Sequence, residues 1–425
     1  MASTLIGPAD GRRIVPVLVG APAQPGRCTL SITDTATVVL PDSVPVYVDP
    51  TTFGFAGRSL LLAGSPNYVP RVRHDSSPQL RYTTDSIFGV IRSPDGRWSV
   101  IPRPPQVRYF GAVRAAARGE GRWDVVFVQL DTTLISFPTE GPTRAAWHGI
   151  VTERGWERLQ RLPLPPRDTI DVFNPGQLLR NGDTLTWAIR HRTLETGRVG
   201  GVGVLRAVGD RWTYQLAEAN ASAVQAVHFN GVGDRLFVRR EAPPGTLHFE
   251  LAMLALTPEP RTLAILKPSE GVTRWLPRAY QMADGAAAYA WTEARGEGES
   301  AMHVVGIDAR GTPIGERLVP NGYTRALPLS ITPGDAPWIF LGDRRSYDAS
   351  GGPGVFELVL VSPSSARTAA EIPNAFASPP THAVQHAGSA VVVGAVRYPR
   401  SGVPGMASAI ATVGYACRES RDRVE

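Results

Sequence analysis

The chain has 425 residues, 43% of them hydrophobic, with 43 glycines and 38 prolines set between apolar runs and not in tracts. That composition excludes a disordered or collagen-like chain and suits many short strands joined by turns. The formal net charge is +6, but the basic residues are scattered arginines with Lys267 the only lysine. The basic stripe wanted for nucleic-acid binding is therefore missing, and no run reaches the ~18 apolar residues that cross a bilayer.

Residues 1–26 read as a leader or extension. Arg12-Arg13, the apolar run 14–19 and Ala21-Pro22-Ala23 follow the charged, apolar and small-residue order of an export signal. Pro16 breaks the run, and a strand reads equally well there. The export reading predicts an extracytoplasmic chain, periplasmic or secreted. Residues 28–40, CTLSITDTATVVL, are strand-like and belong to no neighbouring unit.

From there a four-part pattern recurs. A short strand ends in a Gly- or Asp-containing turn, a second strand follows, a loop leads to a third, and a fourth strand ends before a Pro-containing connection. The clearest copy reads GQLLRNGD, TLTWAIRH, VGGVGVLRAVGD, RWTYQLAEA; the next reads VQAVHFNGVGD, RLFVRREA, TLHFELAMLALT, RTLAILKP. The second strands are predicted to begin near Ser59, Arg122, Thr184, Arg235, Ala286, Ala336 and Ala390. That spacing, roughly 50–60 residues, suits a propeller blade of four strands. The units are read as 46–105, 106–166, 167–219, 220–270, 271–320, 321–373 and 374–417, with 418–425 a polar tail.

The seventh unit holds only three strands, and its third would be left as an open edge. Adding residues 27–40 as its fourth strand closes the set. The expected fold is all-β: a seven-bladed β-propeller with four antiparallel strands per blade, the N-terminal strand completing the last blade. The competing architecture is a pair of β-sandwiches. The same closure brings together Cys28 and Cys417, the two cysteines of the chain. They are read either as unrelated buried thiols or, more sharply, as a disulfide joining the ends, which implies an oxidising compartment.

Residues 93–98, SPDGRW, resemble the turn of TolB-like propeller repeats and a shortened Asp-box of sialidases. The resemblance covers six residues, occurs once, and implies propeller architecture without a specific family. Trp123-Asp124 is a WD dipeptide lacking the Gly-His partner of WD40 repeats.

Propellers bind on the face that carries the loops between second and third strands and the connections between blades. The loops at 66–85, 131–143, 192–200 and 343–354 are the interaction candidates, with Tyr68, Arg71, Arg73, His74, Tyr82, Arg344 and Tyr347 as named residues. The connections entering first strands supply ligand candidates Arg108, Tyr109, Asp171, Arg274, Arg325 and His382. Arginines converging on a central channel could grip a carboxylate or phosphate, whereas an arginine recurring by repeat, as Arg274 and Arg325 do, is as readily structural.

Metal and cofactor chemistry finds no motif, so no metal and no cofactor is expected; the Gly200–Gly203 run reads as a turn and lacks a helix to hold phosphate. His148 is read as a packed residue, and Trp98, Trp123, Trp156 and Trp212 as starting or nearly starting fourth strands. No G-x-S-x-G elbow occurs. The expected function is a non-catalytic binding or scaffolding propeller, an accessory subunit docking to protein partners at the periplasmic side of a membrane complex. The alternative is a carbohydrate-active enzyme or lectin, or a small-anion sensor, using the central channel.

Overall fold

A computed structural model of the chain describes residues 28–39, 52–56, 59–63, 87–107 (without 94 and 96), 110–130 (without 120), 143–164, 168–170, 176–193, 199–241 (without 220 and 230), 249–267 (without 257 and 258), 273–281, 286–294, 300–319, 325–344 (without 332, 333 and 336), 355–372, 382–386, 389–397 and 407–419. Among these residues the structure is all-β, without a helix. The strands form seven antiparallel sheets, six of which run through consecutive strands of the chain.

The N-terminal strand β1 (Cys28–Val39) belongs to the last of these sheets. Sheet 1 is β2 (Thr52–Ala56), β3 (Ser59–Ala63), β4 (Ile87–Arg92) and β5 (Trp98–Pro102). Sheet 2 is β6 (Phe110–Gly119), β7 (Arg122–Leu130), β8 (Thr143–Thr152) and β9 (Gly155–Arg161). Sheet 3 is β10 (Asp168–Ile170), β11 (Leu178–Asn181), β12 (Thr184–Thr193), β13 (Val199–Val208) and β14 (Arg211–Glu218). Sheet 4 is β15 (Ala221–Phe229), β16 (Gly233–Glu241), β17 (Phe249–Ala255) and β18 (Arg261–Lys267). Sheet 5 is β19 (Thr273–Gln281), β20 (Ala287–Ala294), β21 (Ser300–Ile307) and β22 (Pro313–Val319). Sheet 6 is β23 (Arg325–Ser330), β24 (Trp338–Arg344), β25 (Val355–Val361) and β26 (Ala366–Ile372). Sheet 7 is β27 (His382–His386), β28 (Ser389–Arg397), β29 (Ala407–Glu419) and then β1.

The burial of each strand follows from its place in its sheet. In β7, every residue from Trp123 to Val128 is buried, as a strand covered on both faces requires. In β14, at the sheet edge, Trp212 is buried while Arg211, Thr213, Gln215 and Leu216 are exposed, the alternation of a half-solvated strand.

The chain divides into two compact units, the first spanning Leu40–Val224 and the second containing Gln225–Tyr398 and most of the two terminal strands. In the first unit, sheets 1 and 2 share a core of Leu61, Phe88, Phe110, Trp123 and Phe127, and sheets 2 and 3 share one of Val126, Val128, Leu185, Trp187 and Leu205. In the second, Phe229, Phe237 and Met253 of sheet 4 pack with Tyr289 and Trp291 of sheet 5, and Ala288 and Val304 of sheet 5 pack with Trp338 and Phe340 of sheet 6. Sheets 1 to 3 of the first unit and sheets 4 to 6 of the second thus stack face to face in succession.

The turn from β4 to β5 is the SPDGRW segment. The Ser93 hydroxyl donates to Asp95 at 2.6 Å, and Asp95 accepts the Arg97 backbone N–H at 3.2 Å. These hydrogen bonds, Ser93 first, hold the Asp95 carboxyl at about 2. Sheet 5 solves the same turn alike: Asp308 accepts the N–H groups of Arg310 and Thr312 at 2.9 and 2.8 Å. A side-chain oxygen that mimics a turn is the physical reason for Asp at these places.

Several expectations are corrected by the structure. β1 pairs with β29 antiparallel, but Cys28 lies opposite Glu419 and Cys417 opposite Leu30. The cysteines are thus diagonal across the strand pair, and no disulfide is found among the described residues. β29 runs on to Glu419, two residues into the segment read as a polar tail. The glycines at 200, 201 and 203 lie inside β13 and do not form a turn. Trp123 is in the second strand of its sheet, where it is fully buried, while Trp98, Trp156 and Trp212 are in fourth strands. The first strand of sheet 3 is split, β10 and β11 both pairing with β12.

Candidate functional site

Of the ligand candidates, Arg108, Tyr109 and Asp171 lie outside the described residues, as do Tyr68, Arg71, Arg73, His74, Tyr82 and Tyr347 of the interaction loops. The backbone places the others. Arg274 is the second residue of β19, while Arg325 opens β23 and His382 opens β27. These three therefore stand near the starts of first strands in three successive sheets of the second unit. Arg325 lies across from Asp343 in the β23–β24 register, and Arg344 closes β24 opposite Val355.

The best-defined polar cluster among the described residues was not singled out by sequence. It centres on Asp124 of β7, which is fully buried. One carboxylate oxygen of Asp124 accepts from Arg118 at 3.0 Å and faces His148 Nε2 at 2.9 Å; the other accepts from Arg180 at 2.5 Å. Arg118 and His148 belong to β6 and β8 of the same sheet, but Arg180 comes from β11 of sheet 3. The β6–β7 register shifts between Ala117 and Gly119, so Arg118 sits at a bulge, a device that re-aims a side chain.

Burial pushes the Asp124 carboxyl up. The His148 hydrogen bond and the charges of Arg180, His148 and Arg118 outweigh it and hold the group below the usual carboxylate range. An ionised carboxylate only accepts, so His148 donates from Nε2. His148 Nδ1 is then left buried with no hydrogen-bond partner among the described residues. The His148 ring packs against Trp212 of β14 with centroids 5.2 Å apart. Sheets 2 and 3 are thus tied by an ion pair and a ring contact. As expected of His148, the residue is packed, at 2% exposure.

Beyond Trp212 lies an open hollow of about 650 Å³ between the edge strands of the same two sheets. Gln160, Arg161 and Pro163 line it from the end of β9, and Asp210, Arg211 and Trp212 from the start of β14. Gln160 Nε2 donates to the Asp210 carbonyl at 3.2 Å. Arg158 forms an ion pair with the Asp210 carboxylate, and its hydrogen bond holds that carboxyl below its ordinary value.

A second aromatic and histidine pairing stands on β12. His191 Nε2 and the Tyr214 hydroxyl are 2.8 Å apart, across Gly203. A Cβ at Gly203 would lie 2.5 Å from both His191 Nε2 and Tyr214 Cε2, which is why this strand carries glycine there. Among the described residues, no group of three or more His, Cys, Asp or Glu side chains could hold a metal ion.

No protein-family model matches this sequence, and no curated protein matches it. Among solved structures, the chain is similar to a protein of unknown function from Dyadobacter fermentans, at 14% identity and TM-score 0.45, covering 75% of this chain and 98% of that one. It is similar to the WD40 domain of SCAP from fission yeast, at 12% identity and TM-score 0.40, covering 95% and 94%. The NanB sialidase from Streptococcus pneumoniae is similar at 8% identity and TM-score 0.36, covering 74% and 69%.

Proposed function

We propose that the chain is a seven-bladed β-propeller that acts as a non-catalytic binding scaffold, an extracytoplasmic accessory subunit docking to protein partners at the periplasmic face of a membrane complex. The observation that supports this best is the order of the strands. Antiparallel sheets of four strands, or five in sheet 3 where the first strand is split, succeed one another along the chain, and the N-terminal strand adds to the sheet that holds the C-terminal one. That succession is what a propeller requires. In the first unit, the Asp124 cluster goes to joining sheets, a structural use of charge consistent with a rigid docking body. The extracytoplasmic setting rests on the export-like order of residues 12–23; N-terminal sequencing of the mature chain tests it, and cleavage after Ala23 is the expected result.

The docking reading is tested by affinity purification of the tagged chain from its native envelope fraction, followed by mass spectrometry. A stoichiometric partner that survives moderate salt is expected; a chain recovered alone would overturn the scaffold. The glycan or anion reading is favoured by one observation, the alignment of Arg274, Arg325 and His382 near the starts of three first strands. Glycan-array and sialic-acid binding measurements on Arg274→Ala and Arg325→Ala variants test that reading.

A further inference from the structure

We propose that the open side of the Asp124 cluster is a binding site for a small carboxylate, held by Arg118 and Arg180. The proposal goes beyond the scaffold reading and does not depend on it. It begins with a charge count. Arg118 donates from Nη1 at 3.0 Å to one oxygen of Asp124, and Arg180 donates from Nη1 at 2.5 Å to the other. Among the described residues, neither arginine has any other hydrogen bond or ion pair. Two guanidinium groups, each permanently charged, thus share one negative charge. His148, on the same carboxylate, adds either no charge or one more positive charge. Asp210 also feels the charge of Arg118, but it is paired with Arg158. Asp183, exposed in the turn after β11, forms no ion pair with Arg180. The cluster therefore carries at least one positive charge in excess.

Position decides where that excess can be met. Arg118 sits at the bulge near the end of β6 and Arg180 near the end of β11, so the two reach Asp124 from neighbouring sheets. Their side chains are 31% and 15% exposed, and Asp124 is fully enclosed behind them. A guanidinium carries five N–H donors, and each arginine spends one of them on Asp124. None of their other nitrogens is among the buried unpaired atoms, so the unspent donors open to the surface. Each arginine thus keeps the paired donors that match a planar carboxylate. Because their Nη1 groups rest on the two oxygens of one carboxylate, they are spaced for a second carboxylate on the open side. A partly buried cation without its full counter-charge is unfavourable, and a single carboxylate restores the balance.

The test is saturation-transfer NMR of acetate with the full chain, at constant ionic strength. Saturable acetate binding that equal chloride does not displace is expected. Arg118→Gln removes the more exposed arginine and leaves Arg180 and His148 on Asp124. It should weaken binding about tenfold, the effect of losing roughly one strong charged contact. Asp124→Asn keeps the shape of the side chain and raises the excess charge by one, so acetate should bind more tightly to it than to the unaltered chain. This opposite change separates a site from a fold that has merely loosened. Arg310→Gln, at an exposed turn of the second unit, is the control and should bind as the unaltered chain does. Acetate that does not saturate, or that chloride displaces equally, would overturn the site. So would equal binding by Arg118→Gln, weaker binding by Asp124→Asn, or equal weakening by Arg310→Gln. Inorganic phosphate that displaces acetate at a tenfold lower concentration, and does so through Arg118, would overturn the carboxylate assignment in favour of phosphate.

Discussion

The junction between sheets 2 and 3 and the junction between sheets 4 and 5 are both face-to-face stackings of antiparallel sheets, closed by different means. In the first, a fully buried Asp124 is shared by Arg118, His148 and Arg180. In the second, Phe237 stacks on Tyr289 at 5.1 Å, beside Phe229, Met253 and Trp291. The apolar junction is tolerant of small rearrangement, because dispersion and burial have no direction. The charged junction depends on each partner, because a buried charge deprived of its counter-charge is strongly unfavourable.

The largest effect should come from Asp124→Ala. It leaves Arg180, His148 and Arg118 facing one another at a buried position, and by analogy with other buried pairs it should destabilise the first unit by about 3–5 kcal/mol. Urea denaturation followed by tryptophan fluorescence would show this as an earlier transition; an unchanged midpoint would mean that the cluster is solvated. Gly203→Ala comes next. It drives a methyl group into His191 and Tyr214 and should cost about 1–3 kcal/mol, whereas His191→Ala in the same background should recover part of the loss.

Acid sharpens the same contrast. The Asp124 carboxyl lies below its ordinary value in the folded chain. Its contribution is therefore complete above the unfolded carboxylate value of about 3.9 and is lost as pH falls through the folded value. Stability of the native chain should drop below about pH 4, and Asp124→Asn should drop less over that window. A parallel decline of the two proteins would show that other carboxylates govern acid unfolding.

The smallest effect belongs to the apolar junction. The Tyr289 hydroxyl is buried without a hydrogen-bond partner among the described residues, and burial pushes its ionisation upward against the opposing charge of Arg239. Tyr289→Phe removes an unsatisfied group while keeping the ring, so stability should stay within about 1 kcal/mol or rise. A large loss would reveal a partner for the hydroxyl.

Strand positions were legible because their signals are local. Apolar runs bounded by Gly, Asp and Pro placed the second strands at Ser59, Arg122 and Thr184, where β3, β7 and β12 begin. The orphan strand near the N-terminus and the three-stranded last unit pointed to the β1–β29 pairing by the same reasoning about unpaired edges. The Asp124 cluster was not legible. His148 is 24 residues from Asp124 and Arg180 is 56, on other strands and, for Arg180, in another sheet. Nothing in local alternation says which buried acid meets which arginine, because that depends on how far one sheet is offset and twisted against the next. The cysteines teach the same lesson. Sequence alone determined that their strands belong together; only the register, which places Cys28 opposite Glu419 and Cys417 opposite Leu30, decided that they stand diagonally. A shift of two residues keeps every side chain on its own face of a sheet, so the hydrophobic pattern cannot distinguish the two alignments, whereas the backbone pairing can.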